Sequence, residues 1–178
     1  MAVTTNWPRV TCAALLLAAV AACDTKAPYE PSLPPAAGFR VDNGVLKLWT
    51  GTPCAGVTGV RLIFDSGTSK STEQVWTAPR PGVPLEHLDL VRPTADGPLQ
   101  VTKPLPANYD WTKADSLVFS IDGPQAHGAR VSVSQILTES AQHPPETYLF
   151  GKTGWLDAPA VARENQKSFL TICTPDPG

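Results

Sequence analysis

Ser116-Leu117-Val118-Phe119-Ser120-Ile121, followed by Ala129-Arg130-Val131-Ser132-Val133, carries the clearest periodicity in the chain. Leu117, Phe119 and Ile121 alternate with Val118 and Ser120, and Val131 and Val133 alternate with serine. A strand with one buried and one solvated face demands this period of two. Seven further strand-length runs flank the pair: Val45–Trp49, Val60–Phe64, Gln74–Thr77, Leu85–Val91, Leu99–Thr102, Thr147–Phe150 and Phe169–Cys173. Proline, glycine and aspartate punctuate them, as in the glycine-rich stretch before Val60 and in Asp65-Ser66-Gly67 after Phe64. About nine short strands with such turns predict a single antiparallel β-sandwich of immunoglobulin/fibronectin-like architecture. Two short helices are expected as well. One spans about Ser134 to Gln142; the other starts at Asp157, whose carboxylate suits an N-cap and whose follower Pro159 needs no amide donor.

The N-terminus reads differently. Arg9 precedes an apolar run from Val10 to Ala22 without charge, the pattern of an export signal. The run falls short of the roughly 20 residues that a membrane-crossing helix needs. It closes on Val20-Ala21-Ala22-Cys23, which resembles the lipobox of bacterial lipoproteins, with residues 1–22 as a removed signal peptide and Cys23 as the acceptor of diacylglycerol. An ordinary secretory signal that leaves Cys23 free is the alternative. Residues 23–38 carry Pro28, Pro31, Pro34 and Pro35 and predict an extended tether reaching up to about 45 Å. The β-sandwich domain is then expected over 39–178.

Removing residues 1–22 from the 178 leaves 156, enough for one domain with a real core. With Arg9 gone, 13 basic residues face 16 acidic ones. No basic stripe exists to neutralise phosphates, which argues against nucleic acid as a partner. Of the four cysteines, Cys12 leaves with the signal and Cys23 takes the lipid. Cys54 and Cys173, 119 positions apart, are expected to pair, as two cysteines outside the cytoplasm usually do. A metal site would want more ligands nearby, and a redox pair would usually show Cys-x-x-Cys.

Catalytic and cofactor motifs are missing: no Gly-x-Ser-x-Gly, no phosphate-cradling glycine loop, no His-Glu-x-x-His. No cofactor is expected. Three histidines occur. His87-Leu88-Asp89 puts an imidazole and a carboxylate on one face of a strand, which His127 and His143 could join as metal ligands; scattered acids such as Asp110 and Asp115 with His127 or His143 are the alternative set for an envelope hydrolase. Met1 is the sole methionine, so soft thioether ligands for copper are lacking. No metal site is expected from these spacings. Tryptophan gives the stronger lead. Trp49 and Trp76 sit in strand-like runs and are expected in the core. Trp111, with Tyr109 beside it, and Trp155 lie in loop-like stretches and form the expected binding surface, suited to stacking on a glycan or packing on an envelope protein.

The lipobox, Trp49-Thr50-Gly51-Thr52-Pro53-Cys54-Ala55-Gly56-Val57-Thr58, His143-Pro144-Pro145-Glu146-Thr147-Tyr148 and Phe169–Cys173 together resemble small envelope lipoproteins of high-GC actinobacteria. The resemblance spans most of the mature chain. It implies an extracytoplasmic protein held on the cell membrane by its lipid, and it carries over no activity or ligand. The expectation from residues and resemblance is a non-catalytic, lipid-anchored binding module, with a hydrolase or metal-binding protein, or a structural spacer, as the alternatives.

Overall fold

The computed structural model describes residues 31–65, 71–90, 97–123 and 128–178. Cys23, the expected signal peptide and His127 lie outside the described residues. Twelve strands occur among those described: β1 (Pro35–Ala36), β2 (Gly38–Asp42), β3 (Val45–Val57), β4 (Gly59–Asp65), β5 (Ser71–Thr77), β6 (Val83–Leu90), β7 (Gln100–Lys103), β8 (Ser116–Asp122), β9 (Gly128–Ser132), β10 (Tyr148–Phe150), β11 (Gly154–Leu156) and β12 (Leu170–Thr171). Two five-stranded antiparallel sheets, ordered β11-β10-β2-β3-β6 and β7-β5-β4-β8-β9, pack face to face as a β-sandwich. A parallel pair, β1 with β12, lies outside both sheets.

The alternation read from the sequence sets the inner faces. Leu117, Phe119 and Ile121 of β8 and Val60, Leu62 and Phe64 of β4 are buried together with Trp76 of β5. They meet Phe39 of β2 and Leu46 and Leu48 of β3, with the Phe39 ring edge-on to Phe119 at 6.2 Å between centroids. Helix α1 (Val133–Glu139) packs Val133 and Ile136 into the same core, capped by Ser132, whose hydroxyl accepts from the Gln135 amide. A 3₁₀ turn over Ser140–Gln142 continues it, so the helix expected to reach Gln142 ends as two pieces. Helix α2 (Ala158–Glu164) starts as expected: the Asp157 carboxylate accepts from the Ala160 amide at 2.8 Å, and Pro159 lies in the first turn. Among the described residues no helix is long and apolar enough to cross a membrane.

Three strands escaped the sequence reading. β2 joins β3 through Asn43-Gly44, both with positive φ, the residue pair that a tight type I′ hairpin prefers. β1 and β11 are too short for a periodic signal. Because Pro35 and Ala36 pair with Leu170 and Thr171, and the compact unit begins at Pro31, residues 31–38 belong to the folded unit and not to the tether. Strand β3 is also longer than expected. The stretch Thr50–Val57, which read as a glycine-rich turn, continues the strand through two register shifts against β6. Gly51 and Gly56 take positive φ there, as bulged strands often require. The single residue Thr58 then carries the chain from β3 in one sheet to β4 in the other.

Cys54 of β3 is bonded to Cys173 beyond β12, with 5.2 Å between their Cα atoms. Beside the bridge, the Thr171 hydroxyl is hydrogen-bonded to the Thr52 hydroxyl at 2.6 Å, and the Asn165 carboxamide accepts from the Thr171 amide and donates to the Thr174 hydroxyl. The C-terminal segment is therefore stitched to β3 by one covalent and several polar links. A closed loop above 100 residues raises the cost of folding sharply when it is opened. Replacing both cysteines by alanine is expected to lower unfolding free energy by about 2–5 kcal/mol in urea titrations; an unchanged midpoint would show that the bridge contributes no stability.

Candidate binding pocket

The two outer faces of the sandwich differ in chemistry. On the second sheet, Glu73 of β5 pairs with Lys103 at 2.6 Å and with Arg61 at 3.9 Å, and Arg130 faces Asp65 at 3.9 Å. Such exposed ion pairs form a solvated surface and add little stability. The first sheet instead carries a second apolar cluster on its outer face: Ala36, Trp49, Phe150, Val161 and Phe169, covered by α2 and the chain that follows it, with Tyr148 and Leu156 at its margin.

Trp49 is the centre of that cluster. Directly opposite it across the β3–β6 ladder is His87, and the imidazole stacks on the indole with an interplanar angle of 8° and 6.0 Å between centroids. Tyr148 lies 5.6 Å away, tilted, and Phe150 stands edge-on at 5.4 Å. On the β2 side the residue opposite Trp49 is Gly38. A Cβ there would come within 2.5 Å of the Phe150 ring and 2.6 Å of the Tyr148 Cβ. The absence of a side chain at Gly38 is what lets β10 lay its two rings beside Trp49. The indole Nε1 has no hydrogen-bond acceptor among the described residues, a cost of about 1–3 kcal/mol for a buried donor.

Arg40 fixes the next wall. Its guanidinium is buried with no carboxylate in hydrogen-bond contact among the described residues; Nη1 donates to the carbonyls of Pro144 at 2.7 Å and Thr147 at 2.6 Å, Nη2 reaches that of Ser140 at 3.4 Å, and Nε has no partner among the described residues. The same guanidinium lies 5.9 Å from the centre of the Tyr148 ring, within range of a cation–π contact. The Ser140 hydroxyl accepts from the Val41 amide and donates to the Ile136 carbonyl. Residues 140–147 are thus tied to β2 through Arg40 and Ser140, and the tie places Pro145 and Glu146 beside the aromatic group. The result is a pocket of about 310 Å³ walled by Trp49, His87 and Tyr148, with Glu86, Pro145, Glu146 and Ala158 around its mouth. Burial pushes the Tyr148 phenol up from its ordinary value, opposed by the nearby Lys47 and Arg40 charges.

The residues expected to form a binding surface are not gathered into one. Trp111 is 9% exposed and packs near Phe64, 6.4 Å between ring centres, as part of the core. The cause is local. Asp110 accepts from the Thr112 amide and hydroxyl and caps a 3₁₀ turn over Trp111–Lys113 that aims the indole inward. Tyr109 is half-buried against the same Phe64, and this burial raises its pKa. Trp155 is half-buried elsewhere, donating its indole N–H to Glu139 at 2.8 Å and stacking on His143 at 4.6 Å. Trp49 and Trp76 are buried as expected.

Among the described residues, Asp110 and His143 are not brought together. Asp110 engages Thr112 and Lys113, and His143 is taken up by Trp155. His87 and Asp89 share a face of β6 and both line a neighbouring concavity of about 320 Å³ with Trp76, Leu85 and Leu99, but Asp89 lies opposite Lys47 and is not in the lining of the aromatic pocket. Among the described residues no carboxylate hydrogen-bonds the His87 imidazole, and no group of three or more histidine, cysteine or acidic side chains is placed to hold a metal ion. Sequence reading passed over Tyr148 and Glu146 as a site because only the Arg40 clamp and β10 pairing bring them to Trp49. No family model, curated protein or solved structure matches this chain.

Two expectations follow from these contacts. Gly38→Ala is predicted to destabilise the domain by about 1–3 kcal/mol through overpacking, with the Tyr148 and Phe150 ring resonances displaced in NMR spectra; a neutral substitution would mean that β10 can shift freely. The Glu139 carboxyl is held below its ordinary 4.5 first by the Trp155 hydrogen bond and then by that from Gln135. A lowered folded-state value contributes stability that is present above the unfolded value and lost as pH falls through the folded one. Glu139→Gln is therefore predicted to flatten the fall in urea midpoint below pH 4.5, with parallel slopes in the two proteins counting against the Trp155–Glu139 link.

Proposed function

We propose that this chain is a lipid-anchored, extracytoplasmic binding module of a bacterial cell envelope, without a catalytic step of its own, and that the Trp49–His87–Tyr148 pocket is where it meets an envelope protein or glycan. The observation that carries the reading is the pocket itself. Aromatic walls and a few polar groups in one concavity are the usual makings of a ligand site, and this one is kept in shape by a buried guanidinium spent on backbone carbonyls.

Export is supported by the Val20-Ala21-Ala22-Cys23 reading and by the Cys54–Cys173 bridge, since stable disulfides belong to oxidising compartments. With the compact unit starting at Pro31, only residues 24–30 separate it from Cys23. A binding role is favoured because His87 stacks on Trp49, and among the described residues no carboxylate hydrogen-bonds its imidazole to orient it as a general base.

Substituting Cys23→Ser in the full chain tests the anchor. The variant is expected to leave the membrane fraction and appear in the exported soluble fraction, while wild type partitions into detergent. His87→Ala with Tyr148→Ala, still anchored, should lose retention of the solubilised protein on isolated envelopes by about 10-fold, as for removal of two anchoring side chains. Retention equal to wild type, or turnover of envelope glycan by the purified protein, would overturn the reading.

A further inference from the structure

We infer that the Trp49–His87–Tyr148 pocket takes an organic cation, a primary or quaternary ammonium group presented by the partner; the inference rests on the binding-module reading and narrows its ligand class. The first ground is charge. Glu86 and Glu146 both stand exposed at the mouth, and no lysine or arginine lines it. Widening the circle to the groups that act on the Tyr148 hydroxyl adds Asp42 and Asp89 against Lys47 and Arg40, so carboxylates still outnumber cations. Asp42 and Lys47 are paired with each other at 3.0 Å, and the Arg40 guanidinium is held by three backbone carbonyls. The positive N-terminal end of α2, where Ala158 reaches the pocket, is already capped by Asp157. A carboxylate or phosphate entering here would be opposed, and an ammonium group favoured.

The second ground is the aromatic wall. Aromatic rings attract cations at their faces through the ring quadrupole, and rings assembled around a small cavity are the usual receptor for alkylated ammonium. A neutral sugar would need a broad open ring to stack on. Trp49 does not offer one: the indole is 6% exposed, with His87 stacked against it and Phe150 edge-on. What remains accessible is an open concavity beside His87 and Tyr148, with the exposed Glu86 and Glu146 in its lining. Exposed charges bind weakly one at a time, so the site suits a partner met at the high effective concentration that anchoring in one membrane provides.

The test uses the full-length, ¹⁵N-labelled lipoprotein in a non-ionic detergent micelle, with the indole N–H resonance of Trp49 assigned through Trp49→Phe. Choline is titrated against its uncharged isostere 3,3-dimethylbutan-1-ol, and against N-acetylglucosamine as a neutral sugar. Choline is expected to shift the Trp49 and Tyr148 resonances saturably and to bind about 10-fold tighter than the isostere, equivalent to about 1.4 kcal/mol. Glu86→Gln with Glu146→Gln, both at exposed positions, should erase that 10-fold preference while leaving the remaining spectrum in place. Equal binding of choline and isostere, shifts with the sugar alone, or no shift with choline would overturn the inference. Retention on isolated envelopes, measured on the same preparations, separates the two failures. If retention survives and depends on His87 and Tyr148 while choline does nothing, the ligand class is wrong; if retention is absent as well, the binding-module reading falls with it.

Discussion

Strand β3 must serve two apolar clusters at once, and the remaining elements are arranged around how it does so. Its first half alternates normally, turning Leu46 and Leu48 into the sandwich and Lys47 and Trp49 outward. Hydrogen bonded to β2 on one edge and β6 on the other, it then passes through two bulges before crossing to the second sheet at Thr58. The bulges change which face later residues meet, so that Cys54 and Val57 are again buried in the main core. A strand that kept strict register over thirteen residues would have run past the sandwich instead of turning its corner.

The outer cluster exists because Trp49 needs cover. An exposed tryptophan on a flat sheet would leave a large apolar patch in water, and the chain answers with α2, Phe169 and the parallel β1–β12 pair, fastened by the Cys54–Cys173 bridge and the Thr52–Thr171–Asn165 polar links. The cover is incomplete on the β6 side. There the stacked His87 and the half-buried Tyr148 leave the concavity proposed as the binding site. Its shape depends on a buried cation, Arg40, whose Nη1 and Nη2 donate to carbonyls of residues 140–147. Burying a charge is costly unless its donors are used; Nη1 and Nη2 are used to hold this loop in place, while Nε has no partner among the described residues.

Much of the sandwich could be read directly. Leu117-Val118-Phe119 and Val131-Ser132-Val133 declare their buried faces by spacing alone, and the Asp157 cap with Pro159 marks the start of α2 by local chemistry. Asn43-Gly44 is an equally local hairpin signal, with positive φ at both residues, although β2 before it is too short for a clear alternation. The site was far less legible. Its members come from β3, β6, β10, the residues 140–147 and α2, and nothing in the spacing of Trp49, His87, Glu146 and Tyr148 along the chain links them. Trp111 misled for the complementary reason: its loop-like neighbours said nothing about which way a capped 3₁₀ turn would aim the ring.

By itself, then, the sequence determined strand periodicity, helix caps and turn positions, together with which two cysteines remained to pair. These depend on backbone dihedrals and hydrogen bonds between near neighbours, which act over a few residues. Tertiary structure alone decided that Trp49 would anchor a second cluster, that Gly38 had to be bare beneath Tyr148 and Phe150, and that Arg40 would hold a wall of the pocket. Those outcomes depend on how two sheets close on each other and on which side chains that closure leaves without room or partners. Contacts spanning about a hundred residues, such as Arg40 with Pro144 and Cys54 with Cys173, are chosen by the packing of the whole core, and no local pattern encodes them.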